Sequence, residues 1–272
     1  MFENVAVLAV KSQRLLAIAY LAARLFPSAT YHIISTIPEN LARPTLLTLY
    51  KRVMEEIAED SINGVEMSLY RANLLAVKKV ILKGRPEKVI LDYIKKRKID
   101  LTVMTAGVTD AHAFQLSGAV SRTMIAEAPS NLLIYPSAAK DIPERMDTLL
   151  IVVPKEILAK RGLVEDIVKR VKKVEGIKRA TVLCKVKEER CRDSVVTLKE
   201  LVRDVEVHEV LDETNFFEKY GELSAQADFV IAWRGKSELS RFSLMGRTIE
   251  RKRPSLYQIT LLELSRSPLL LL

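Results

Sequence analysis

Among 272 residues there are two cysteines, three histidines, one tryptophan and nine glycines. Cys184 and Cys191 stand seven apart without a CxxC or a second pair, so no disulfide framework is indicated and a reducing, cytoplasmic compartment is expected. His32, His112 and His208 are scattered and offer no metal cluster, which argues against zinc catalysis. No apolar run is long enough to cross a membrane: the one over residues 15–23 is cut by Arg24, and a span needs about 20 residues. The opening residues lack the basic start and cleavage site of a signal peptide. Glycine is scarce for a chain that would bind nucleotides through glycine-rich loops.

What is present is a core. Hydrophobic residues make up 49% and charged residues 28%, which excludes disorder as the main theme. The length fits two domains of average size, and we place the division between residues 139 and 140. The net charge of +9 divides almost evenly there: residues 1–139 carry 17 basic and 12 acidic side chains, residues 140–272 carry 26 and 22. Even sharing argues against a dedicated nucleic-acid domain, although basic runs occur at Lys95 to Lys98, Lys169 to Lys173 and Arg251 to Arg253. The first two end predicted helices, where cations complement the helix dipole.

The apolar pattern alternates strand and helix. Strands are expected over residues 5–10, 30–36, 77–82, 100–105 and 131–135, with helices starting after Ser12, spanning 46–60, opening at Pro86 and opening at Gly118. The Asn63-Gly64 pair should end the second helix, and residues 65–76 are ambiguous. After a linker over 137–145 the order repeats. Strands are expected at 149–153, 180–186, 205–211, 228–233 and 256–262, and helices at 157–174, 193–202 and 216–225. Such alternation indicates right-handed crossovers and open parallel sheets. The segment from Asp100 and that from Asp228 are 128 residues apart, as are Gly118 and Gly246; Lys11 and Lys155 are 144 apart. The chain therefore reads as one fold used twice, the second copy 16 residues shorter in its middle.

The repeated segment resembles the universal stress protein family, whose fourth strand is followed by G-x2-G-x9-G-[S/T], the last glycine opening a helix. Gly84-Arg85-Pro86 looks like the start of its third helix. Thr105, Val108, Gly118 and Ala119 keep that spacing in the first half, with Ser121 where the family often has a second serine. Trp233, Lys236, Gly246 and Arg247 keep it in the second, with Thr248 beside them. The resemblance implies two flavodoxin-like, adenine-nucleotide-hydrolase-like α/β domains in tandem, each an open five-stranded parallel sheet with helices on both faces and strand order 3-2-1-4-5.

Departures from the pattern bear on function. Only the third glycine stands in each half, and a β-branched Val108 resists the positive φ a phosphate loop requires. Ala119 and Arg247 replace the hydroxyl, and neither half has the family's Asp after its first strand; Lys11 and Lys155 stand there instead. A standard ATP site is not expected. Lys11 and Lys155 could neutralise a phosphate or be simply solvated. Arg234, Lys236, Arg241 and Arg247 around a helix N-terminus at Gly246 could hold an anion in the second half, and Trp233 could plug its crevice. His112 lies near Ser117 and Ser121, but no nucleophile elbow surrounds either serine, so no catalytic residue is assigned. Cys184 is expected to pack as a small apolar residue, and Cys191, near Arg190 and Arg192, could have a lowered pKa.

The resulting expectation is a non-catalytic regulatory or ligand-sensing protein with no certain cofactor, ATP or another phosphate-containing anion being the candidate ligand. The alternative is an ATP- or AMP-binding stress protein with weak or no hydrolase activity. Expected partners are the two halves themselves, pairing through their last strands, a second copy forming a homodimer, and an unknown protein; membrane and nucleic acid are not expected. The apolar tail, residues 269–272, should need cover.

Overall fold

The computed structural model describes residues 2–38, 44–106, 118–154, 161–185, 199–210, 213–235, 238–244 and 247–272. Five strands, β1 (Asn4–Leu8), β2 (Thr30–Ile37), β3 (Val77–Lys83), β4 (Leu101–Ala106) and β5 (Asn131–Pro136), lie in the order 3-2-1-4-5 with every pairing parallel. Helices α1 (Gln13–Leu25), α2 (Pro44–Arg71), α3 (Pro86–Arg97) and α4 (Ala119–Glu127) connect them. Beyond them come β6 (Thr148–Pro154), α5 (Arg161–Glu175), β7 (Arg179–Lys185), β8 (Asp204–Glu209), α6 (Glu213–Gln226) and β9 (Phe229–Ala232). The chain then forms β10 (Glu238–Leu244), β11 (Arg247–Arg253), α7 (Leu256–Leu264) and β12 (Leu269–Leu271).

Among the described residues, one ten-stranded sheet, in the order β3-β2-β1-β4-β5-β12-β9-β6-β7-β8, contains every strand except the β10–β11 pair. Its single antiparallel step is β5 against β12, where Leu133 faces Leu270. Two apolar layers cover it. One sets Val5, Val7, Leu133, Ile151 and Phe229 against α1, α2 and α5; the other sets Ala6, Ile134, Leu150 and Val230 against α3, α4, α6 and α7. Strands buried on both faces explain why these segments read as continuous apolar runs.

The structure corrects several expectations. Asn63-Gly64 does not end α2, which runs on to Arg71 because Val65 and Leu69 bury against the sheet. Burial outweighs the local cost of glycine, and a Cβ at Gly64 would touch only Leu16 of α1, at 3.6 Å. Ser12 takes the N-cap position of α1 without a side-chain capping bond. Residues 256–262 are helix, not strand, and the tail expected to need outside cover is itself a strand, β12, buried between β5 and β9.

The register offsets hold only in part. Val5 pairs with Leu101 and Leu149 with Phe229, which keeps the 144- and 128-residue offsets of the first and fourth strands. From there the correspondence slips: α4 opens at Ala119 and α7 at Leu256, 137 residues apart. The β10–β11 ribbon takes up the difference of nine residues.

Candidate ligand crevice

In parallel α/β sheets ligands sit beyond the carboxyl ends of the strands. Several of the expected residues stand on or after the carboxyl ends of the first five strands. Lys11 is exposed in the bend after β1. Thr105 is still inside β4, half-buried and paired with Tyr135, so it is a strand residue and not the first loop position. Gly118 precedes α4 with φ +83, a value that suits glycine, and a Cβ there would meet nothing within 4 Å. Ala119 is exposed and Ser121 half-buried in the first turn. Gly118 has no side chain with which to cap this turn, so it leaves the first N–H groups of α4 uncapped from that position. Val108 and His112 lie outside the described residues.

The corresponding end of the other five strands is built differently. Lys155, Lys236 and Gly246 lie outside the described residues. Arg247 and Thr248 stand on strand β11, paired with Leu244 and Ser243, so the expected helix N-terminus at Gly246 is replaced by an antiparallel ribbon. The helix opens instead after Ser255, and its start is closed. Ser255 Oγ accepts from the Gln258 N–H at 3.3 Å, and Gln258 Oε1 accepts from the Ser255 N–H at 2.8 Å. This capping box is buried, and Gln258 Nε2 reaches across to donate to the Ile125 carbonyl of α4 at 3.4 Å.

Arg234, expected among the anion-binding cations, is engaged elsewhere. Its Nη1 donates to the carbonyls of Ala128 and Ser130 at 2.8 and 3.1 Å, its own N–H donates to the Leu272 carbonyl, and burial lowers the pKa of its guanidinium. Trp233 is half-buried and packs against the apolar layer of α1, α2 and α5. Sequence reasoning passed over Gly235. It has φ +76, and its Cβ position lies 3.0 Å from the Tyr257 ring, so glycine here lets the tyrosine pack against the backbone. The readable signal for this closure was Ser255-x-x-Gln258, a capping box ahead of an apolar run.

Other groups are structural. Asp100 Oδ2 accepts the N–H groups of Glu3 and Asn4, both at 2.9 Å, and Asp228 Oδ2 accepts those of Asp147 and Thr148, at 2.9 and 3.0 Å. Each aspartate thus ties the start of one central strand to its neighbour. His32 is buried, with Nδ1 2.8 Å from Tyr93 Oη and no hydrogen-bond partner for Nε2 among the described residues. Burial, then Lys78 and Arg97, lower its pKa. Cys184, buried at the end of β7, is disulfide-bonded, against the expectation of a packed thiol, which removes the cysteine argument for a reducing compartment. The chain's other cysteine, Cys191, lies outside the described residues. Among the described residues no cluster of His, Cys, Asp and Glu could hold a metal ion, and no helix is long and apolar enough to cross a membrane.

The profile of the universal stress protein family matches residues 1–136. A universal stress protein from Archaeoglobus fulgidus is similar over 98% of this chain and 95% of its own, with 14% identity and a TM-score of 0.63. A functionally unknown protein from Pseudomonas aeruginosa is similar over 100% and 92%, with 13% identity and a TM-score of 0.60. At such identities the likeness concerns the fold. None of the curated proteins matches.

Proposed function

Because the chain belongs to the universal stress protein family, we propose that it is a non-catalytic, ligand-sensing regulator with two family folds, residues 1–139 and 140–272, of which only the first keeps an open crevice. The observation that carries this reading is the buried Ser255–Gln258 capping box, which satisfies the helix N-terminus that an anion would otherwise use. Arg234 is held by the carbonyls of Ala128 and Ser130, and the Tyr257 ring lies against Gly235. What was a ligand site has the character of a joint, since Gln258 and Arg234 both bond to carbonyls of the first half.

In the first half, the α4 start at Gly118, Ala119 and Ser121, together with the exposed Lys11 after β1, suits a phosphate-bearing anion, ATP among them. The reading includes no turnover, because no nucleophile elbow surrounds Ser117 or Ser121 in the sequence. The unobstructed Gly118 supports a second reading, an ATP- or AMP-binding stress protein with weak or no hydrolysis.

Calorimetric titration with ATP, AMP and inorganic phosphate, paired with an assay for phosphate release, tests both readings. The expected result is no more than one ligand per chain and no release. Two ligands per chain would overturn the closed second crevice, and release of phosphate that Lys11→Ala abolishes would overturn the non-catalytic reading.

A further inference from the structure

The ten-stranded sheet ends in β3 on one side and β8 on the other, and among the described residues each has a single neighbour, β2 and β7. Their sequences are opposite in charge. β3, Val-Lys-Lys-Val-Ile-Leu-Lys, carries Lys78, Lys79 and Lys83 and no acid; β8, Asp-Val-Glu-Val-His-Glu, carries Asp204, Glu206 and Glu209 and no lysine or arginine.

Charge on an edge strand is a common defence against pairing. Here it discriminates. Two β3 edges repel, and so do two β8 edges, but β3 of one copy and β8 of another attract. Direction also permits that contact: the antiparallel step at β5 and β12 reverses the second set of strands, so β3 and β8 run oppositely. Extending the sheet from copy to copy would therefore form an antiparallel pair, which is slightly more stable per residue than a parallel one. Apolar surface lies beside the edge, with Ile81 exposed on β3 and Leu75, just before it, 83% exposed.

Some of these charges have partners within the chain. Lys79 pairs with Glu66 at 2.7 Å, Lys83 with Glu55 at 3.4 Å, Asp204 with Arg179 at 2.9 Å, and Glu206 lies 2.9 Å from His208 Nε2. Solvent-exposed pairs of this kind are worth about 0–1 kcal/mol and exchange readily.

We propose that copies of this chain associate head to tail by docking the basic edge β3 on the acidic edge β8 of a second copy, a contact separate from the ligand crevice. Sedimentation velocity over a concentration series tests it at about 0.01 M and about 1 M salt, where charges are screened beyond roughly 30 and 3 Å. The sedimentation coefficient should rise with concentration at low salt and lose that rise at high salt. The triple variant Lys78→Glu, Lys79→Glu, Lys83→Glu should lose it, as should Asp204→Lys, Glu206→Lys, Glu209→Lys. An equimolar mixture of the two variants should regain it, because each then meets a complementary edge. Circular dichroism confirms that each variant is folded, and the salt response of the unaltered protein stands independently of them. A concentration-independent monomer at low salt, or association untouched by charge reversal in folded variants, would overturn the proposal.

Discussion

Asp228 accepts two hydrogen bonds from Thr148 through a single carboxylate oxygen, 3.0 Å from the backbone N–H and 2.9 Å from the hydroxyl. Burial alone would raise this carboxyl's pKa, but the N–H of Asp147, the hydroxyl and N–H of Thr148, and Lys140 together hold it below the ordinary carboxylate range. The stability it provides is present above the unfolded-state pKa and is lost as pH falls through the lower folded value. Asp228→Asn should cost about 1–3 kcal/mol near neutrality. Urea unfolding below about pH 3, under the free carboxylate's pKa, should find that difference shrinking.

Glu175 has the opposite sign. Burial pushes its carboxyl up, and Arg24, the Met146 N–H and Arg145 only partly offset it. Arg24 Nη2 stands 3.2 Å from Oε1 as an ion pair, without the alignment of a hydrogen bond. A raised folded-state pKa means that stability declines as pH climbs from the unfolded value, about 4.3, through the folded one. Glu175→Gln should flatten that decline in thermal melts across the interval, whereas Arg24→Met removes one of the groups that offset burial, leaves the Met146 N–H and Arg145, and should steepen it.

His32 should make the packing of α3 on β2 sensitive to acid. Burial lowers its pKa, and Lys78 on β3 and Arg97 on α3 add to the effect. Stability should fall as pH drops from about 6.5 toward the lower folded value. His32→Leu, which cannot titrate, should lose that portion of the pH dependence in chemical denaturation at pH 7.5 and pH 5, each about one unit or more from the free imidazole value. Retention of the full dependence in the variant would place its origin elsewhere.

Arg234 holds the two sets of strands together through the carbonyls of Ala128 and Ser130. Arg234→Met keeps much of the apolar stem but strands both carbonyls, at a cost of about 1.5–3 kcal/mol. Hydrogen exchange should locate the loss: the Leu272 N–H, which bonds to Ala232, should exchange faster, while amides of β1 and β2 should not change.

The elements legible in the sequence were those whose apolar pattern and local chemistry agree. Pro86 opened α3, Gly118 preceded α4, and the doubly buried strands β1, β4 and β6 read as apolar runs. α7 was lost because Leu256–Leu264 is apolar on nearly every side, and a short run of that kind has no period to separate helix from strand. α2 was cut short because a local stop signal was given more weight than the burial of Val65 and Leu69. The ribbon β10–β11 was hidden by an even spacing between Gly118 and Gly246 that did not arise from equivalent structure. Of the expected site positions, Gly118 before α4 was legible from the family spacing, whereas Thr105 falls inside β4. The bonds of Gln258 and Arg234 were not legible, because they reach Ile125, Ala128 and Ser130, more than 100 residues distant in sequence.

The pairing of Leu133 with Leu270 joins positions 137 residues apart, and that distance orders assembly in time. Closing so long a loop comes late, after the local strand–helix units have formed. Until Leu269–Leu271 arrives, β5 presents Leu132, Leu133 and Ile134 as an unpaired apolar border, the kind of surface that makes folding intermediates prone to aggregate. Pulse-labelled hydrogen exchange during refolding should therefore see amides of β1 and β2 protected before those of β12, with the seam at the centre of the sheet as its last event.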